Sequence, residues 1–162
     1  MSAITLASFL EYLRAFNSRS YEPQHAFYSP SITLALPDGT LNGSAAIREH
    51  YAKVHARFSE AVVPLEILRN DRHIVLIKQT VFSAREPVPE FCGHKFEKGD
   101  VMALSALILY DFDDEGKIVK AKVNTTGMEF LGGGKSFKEV VSEIKAKAEE
   151  EWGCWQDSWE NL

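Results

Sequence analysis

Between residues 31 and 126 the chain alternates strand-like segments with turn signals. Ser31 to Leu36 sets Ile32, Leu34 and Leu36 against Thr33 and Ala35, the two-residue period of a strand. Pro37-Asp38-Gly39-Thr40 then turns the chain, because proline fixes φ and Asp-Gly tolerates left-handed backbone. Val62 to Leu68 leads through Arg69-Asn70-Asp71-Arg72 into His73 to Ala84. Val101 to Phe112 returns through Asp113-Asp114-Glu115-Gly116 as Ile118 to Thr126. Consecutive β-rich segments joined by short turns are hairpins, so the sheet is expected to be mainly antiparallel.

Helical patterns flank this sheet. Leu6, Phe9, Leu10, Leu13 and Phe16 recur at three- and four-residue spacing, which predicts a helix over about residues 3–18. A short second helix is expected over Tyr21 to Tyr28, before Pro30. Ser44 is a candidate cap for a third, with Ile47, Tyr51, Val54 and Phe58 as its core stripe and His50 on the same side. Residues 85–100, with Pro87, Pro89, Gly93 and Gly99, read as a long polar connection, a lid candidate carrying His94. Ser136 and Glu139 form a capping box that opens a helix to about Glu151. The order is that of an α+β fold. With 162 residues, 45% apolar and 25% charged, the chain is one domain: a body over 1–134 and a C-terminal helical extension over 135–162.

Charge and cysteine usage narrow the partners. The net charge is −5, and the segment from Lys135 onward holds 4 basic and 7 acidic residues, so the body is nearly neutral. A basic footprint for nucleic acid is lacking. The longest apolar run, Val101 to Tyr110, is half of what a membrane helix needs. Cys92 and Cys154 make no disulfide framework, and Met1-Ser2-Ala3-Ile4-Thr5-Leu6 is a poor leader peptide. The expectation is a reduced, cytoplasmic protein without nucleic-acid or membrane partners.

Three motifs stand in order: Tyr12-Leu13-Arg14-Ala15-Phe16-Asn17 followed by Tyr21 and Tyr28, Leu41-Asn42-Gly43-Ser44-Ala45-Ala46-Ile47-Arg48-Glu49-His50-Tyr51, and Tyr110-Asp111-Phe112-Asp113-Asp114-Glu115-Gly116-Lys117-Ile118. Together they resemble the SnoaL-like group of the nuclear transport factor two-like superfamily, over about residues 6–131. The resemblance implies a cone-shaped curved sheet wrapped around N-terminal helices, enclosing an apolar pocket. It implies a cofactor-independent isomerase, cyclase, dehydratase or epoxide-opening enzyme of secondary metabolism, acting on an apolar oxygenated small molecule such as a polyketide or terpenoid. The alternative is a non-catalytic ligand binder or scaffold of the same fold. It also implies a homodimer through the outer sheet face.

Family cyclases often place an aspartate near the end of the last strand; the corresponding place here is Thr126, with Asn124 two residues earlier. Neither is a general base, but both can hydrogen-bond a carbonyl or enolate oxygen. Acid–base work then falls to histidine, and His50, on the core side of its helix, is the principal candidate. Tyr12, Tyr51, His55 and Lys122 are the expected substrate contacts, with His55 at the stripe's edge read also as interfacial. Gly134-Lys135-Ser136 fails as a phosphate loop because position 129 is Glu129. His50 and His55, five apart, lack the spacing of paired metal ligands, so neither a metal nor a cofactor is expected. Trp152, Trp155 and Trp159 share one side of a helical turn and need a cover.

Overall fold

The computed structural model describes residues 4–152, with side chains through Glu150. Trp155, Trp159 and Cys154, and the side chain of Trp152, lie outside the described residues. Helix α1 spans Leu6–Asn17, capped by Thr5, whose Oγ1 accepts from the Ser8 amide at 3.1 Å. It buries Phe9, Leu10, Leu13 and Phe16. Each such side chain stabilises the fold by roughly 1.5–3 kcal/mol. The helix ends in paired backbone bonds, Ser20 N–H to the Ala15 carbonyl at 2.9 Å and Arg19 N–H to that of Phe16 at 3.0 Å, with Arg19 at φ +57°. That is a Schellman cap, with arginine where glycine is cheapest. Helix α2 is shorter than the sequence suggested, Tyr21–His25.

The strands are β1 (Tyr28–Leu36), β2 (Gly39–Asn42), β3 (Phe58–Arg69), β4 (His73–Ala84), β5 (Val88–Phe91), β6 (His94–Phe96), β7 (Val101–Phe112) and β8 (Ile118–Gly132). Helix α3 (Ser44–Arg57) links β2 to β3, and α4 (Phe137–Trp152) follows β8. The main sheet is curved and runs β2-β1-β8-β7-β4-β3, antiparallel except where β1 meets β8 in parallel. The N-terminal helices lie against its inner face, giving the expected α+β architecture. No helix among the described residues is long and apolar enough to cross a membrane.

Two local expectations change and a third holds. Gly43, at φ +86°, occupies the cap position of α3, and Ser44 instead hydrogen-bonds His25 Nδ1. Residues 85–100 are not an open connection, because β5 and β6 pair as a hairpin through Cys92 (φ +50°) and Gly93 (φ +79°). Two successive positive φ angles are what a tight right-twisted hairpin turn requires. The hairpin brings Phe91 onto Phe58 and Phe82, and Phe96 onto Phe58, with ring centroids 4.5–5.2 Å apart. The capping box does form: Ser136 N–H donates to Glu139 Oε2 at 2.7 Å, and Glu139 N–H to Ser136 Oγ at 3.2 Å.

Register decides which side chains meet. Phe58, Glu60 and Val62 of β3 share the inner face with Leu76, Lys78, Thr80 and Phe82 of β4, Met102, Ala106, Ile108 and Tyr110 of β7, and Ala121 and Val123 of β8. The Phe82–Met102 row is filled by the phenylalanine cluster. The Lys78-to-Tyr110 rows carry the cavity. Helix α4 packs on the opposite face, setting Val140, Val141, Ile144 and Ala148 against Val63, Leu65, Val81 and Val101.

Candidate functional site

All five tyrosines of the chain converge on one region. Tyr12 of α1, Tyr28 of β1, Tyr51 of α3 and Tyr110 of β7 line the cavity inside the cone, along with Leu13, Phe16, Ile32, Ile47, Val62, Ile108 and Lys78. The closed interior measures about 30 Å³, room for one or two waters. Counted through its mouth into open solvent, the free space reaches about 480 Å³. Tyr12 and Tyr28 hydroxyls are 3.2 Å apart, and Gln24 Nε2 donates to the Tyr28 oxygen at 3.1 Å. Burial drives the Tyr12, Tyr51 and Tyr110 phenols upward, and neighbouring tyrosines add to this. These hydroxyls therefore keep their protons and act as hydrogen-bond donors.

Among the described residues, Lys78 is the one charged side chain in the lining. It is 9% exposed, and its Nζ donates to Thr80 Oγ1 at 2.9 Å. Burial lowers its ammonium to a pKa of about 8, against the opposing attraction of Glu60. A lysine brought that near neutrality can give or take a proton at working pH.

Behind the cavity wall lies a hydrogen-bonded chain. His55 Nε2 sits 2.8 Å from Glu60 Oε2, and His55 Nδ1 sits 2.7 Å from the Tyr21 hydroxyl. Both His55 and Glu60 are buried, at 6% and 7% exposure. A carboxylate only accepts, so Nε2–H donates to Glu60, and Nδ1 accepts from Tyr21 in the neutral imidazole. The His55 ring also tilts against Tyr51 at 5.8 Å and meets Phe16 edge-on at 5.9 Å.

The structure sorts the sequence candidates. Tyr12 and Tyr51 line the cavity. His55 stands one layer behind it, held by Glu60. His50 is partly exposed, its ring 5.1 Å from that of Tyr51, and outside the lining. Lys122 and Asn124 pair with Leu109 and Leu107, so alternation points them to the outer face while Ala121 and Val123 point in. Thr126 is exposed at an irregularity between the pairs Ala106–Thr125 and Ser105–Gly127. The residues that sequence reasoning passed over are Lys78, Glu60, Tyr28 and Tyr110. A signal existed for the first two, since each is a charged residue at an inward step of an alternating strand: Leu76-x-Lys78-x-Thr80 and Phe58-x-Glu60-x-Val62.

Solved structures share this fold. An NTF2-like protein of unknown function from Cytophaga hutchinsonii aligns at TM-score 0.56 and 17% identity, covering 78% of this chain and 93% of that one. A provisionally assigned polyketide cyclase from Pseudomonas putida aligns at TM-score 0.63 and 16% identity, covering 74% and 89%. A Mycobacterium tuberculosis protein, solved in complex with estradiol-17β-hemisuccinate, aligns at TM-score 0.62 and 15% identity, covering 80% and 100%. At these identities the likeness is one of fold. No curated protein sequence matches the chain. The family model of the SnoaL-like domain matches residues 9–121, most of the chain, and this protein therefore belongs to the SnoaL-like family.

Proposed function

We propose that the cone is the active site of a cofactor-independent enzyme that moves protons on an apolar, oxygenated small molecule. The observation that carries this reading is Lys78, a buried amine of pKa about 8 in a lining otherwise built of tyrosines and aliphatic side chains. The aliphatic walls select an apolar ring system. Tyr12, Tyr28 and Tyr110 supply protonated hydroxyls to a carbonyl oxygen and stabilise the enolate that forms when an adjacent proton leaves. Lys78 takes that proton and returns it at another carbon, which amounts to isomerisation or assisted ring closure. Tyr51 completes the wall, and His55, seated on Glu60, backs it. The ligand of the Mycobacterium tuberculosis relative, a steroid ester, is of this size and polarity class. Such a ligand exceeds the closed interior, so side chains at the mouth move to admit it.

The test is exchange of the C2 protons of 1-tetralone in D2O, followed by NMR. Exchange above the buffer rate in the native chain, lost in Lys78→Met, is the expected result. Equal rates in both overturn the assignment. The small closed interior favours one second reading, a binder without turnover. That reading predicts saturable binding of 1-tetralone with exchange at the buffer rate. In a homodimer, the copies would meet on the part of the outer sheet face that α4 leaves open, around Leu109, which is 41% exposed.

A further inference from the structure

A second cavity lies outside the cone, in a groove bounded by the end of α1, the edge of β3 and the first turns of α4. It measures about 520 Å³. Its polar wall carries Arg14, Arg19, Arg85 and Lys145, and its apolar wall carries Phe137 and Val141. Among the described residues, the one acid in the lining is Glu60, whose Oε2 is already bonded to His55. Arg19 reaches the Phe58 carbonyl while the Arg85 amide bonds that of Arg57, which sets the two arginines side by side in the lining; burial first, and the like charge of Arg85 second, lowers the Arg19 guanidinium from the ordinary arginine range. Arg14 and Lys145 have interactions of their own, so the cations on which the groove turns are Arg19 and Arg85.

We propose that this groove binds an amphipathic organic anion, its carboxylate or phosphate head against Arg19 and Arg85 and its apolar body against Phe137 and Val141. A planar guanidinium presents paired N–H donors that match either oxyanion. One Arg19 donor reaches only to the Phe58 carbonyl, at 3.5 Å. An anion between Arg19 and Arg85 removes their mutual repulsion, and the valine and phenylalanine surface shelters an alkyl or aryl body from water. The proposal is independent of the reading of the cone.

Hexanoate is the probe, with hexanol as its neutral counterpart and inorganic phosphate as a head without a body, all on the full chain at matched ionic strength. The expected result is saturable shifts of the Arg19 and Arg85 Nε–H resonances with hexanoate, weaker ones with phosphate, and none with hexanol. Arg19→Gly gives the decisive variant, because it suits the left-handed backbone at that position. It should raise Tm while weakening hexanoate by about tenfold or more, the loss of a hydrogen bond to a charged group. Unchanged affinity in Arg19→Gly overturns the proposal. So does hexanoate that shifts Tyr12, Tyr28 and Tyr110 instead. Binding seen only after removal of residues 153–162 also overturns it, assigning the groove to the chain's own C-terminal segment.

Discussion

The cone interior and the edge groove lie on either side of Val62, yet they handle charge in opposite ways. Among the described residues the interior admits one charged side chain, Lys78, and burial lowers its ammonium to a pKa of about 8. The groove is open to water, which solvates neighbouring guanidiniums well enough for four cations to share a wall. Enclosure therefore produces reactivity in one place, and openness produces recognition in the other. Glu60 belongs to both: it lines the groove, and its charge acts on Lys78.

The sharpest way to break the contrast is to remove that shared residue. Glu60→Ala strips the buried Lys78 ammonium of its opposing charge and the buried His55 of its acceptor, and should destabilise the fold by about 3–5 kcal/mol, read from urea denaturation at pH 7. Next comes Lys78. Its folded pKa of about 8 lies below the 10.5 of the unfolded chain. Below pH 8 both states hold the proton, and the folded state carries the full cost of the buried charge. Between about 8 and 10.5 only the unfolded state binds it, so native stability should rise with pH through that window, by roughly 3 kcal/mol in all. Lys78→Met should abolish the rise and stabilise the chain at pH 7 by a similar amount, while removing the proton transfer. The smallest effect is on the groove side. Arg19→Gly should stabilise by about 0.5–1 kcal/mol through backbone relief alone, seen as a small rise in the denaturation midpoint. A fall would show that the arginine side chain contributes more to the fold than its backbone costs.

Much of the fold was legible because local signals agreed with tertiary need. The apolar spacing of α1, the Asp113–Gly116 turn and the Ser136–Glu139 box each encode their element within a few residues. The site was harder to read, because it depends on phase. In α3, Ile47, Tyr51 and His55 recur every four residues and face inward, which puts His50 on the shoulder. In β8, one step of alternation separates Ala121 and Val123 from Lys122 and Asn124, and a one-residue difference exchanges the two faces of a sheet. The β5–β6 hairpin hid behind a turn whose first residue is Cys92, a residue type that rarely announces left-handed backbone. Lys78 and Glu60 interrupt apolar strands, and such interruptions reveal a site only once both neighbours on the same face are known to be buried.

Among the described residues, strand β3 ends the main sheet, with β4 on one side and no strand on the other. Asn17 uses its amide there as a strand would, donating to the Val62 carbonyl at 2.9 Å and accepting from the Val62 N–H at 2.8 Å. Two residues on, Pro64 offers no N–H, and the register slips beside it. A border with its rungs occupied or missing gives a second molecule little to zip onto. That sets a limit on fibril growth from this side of the sheet, imposed by one side-chain amide and one ring.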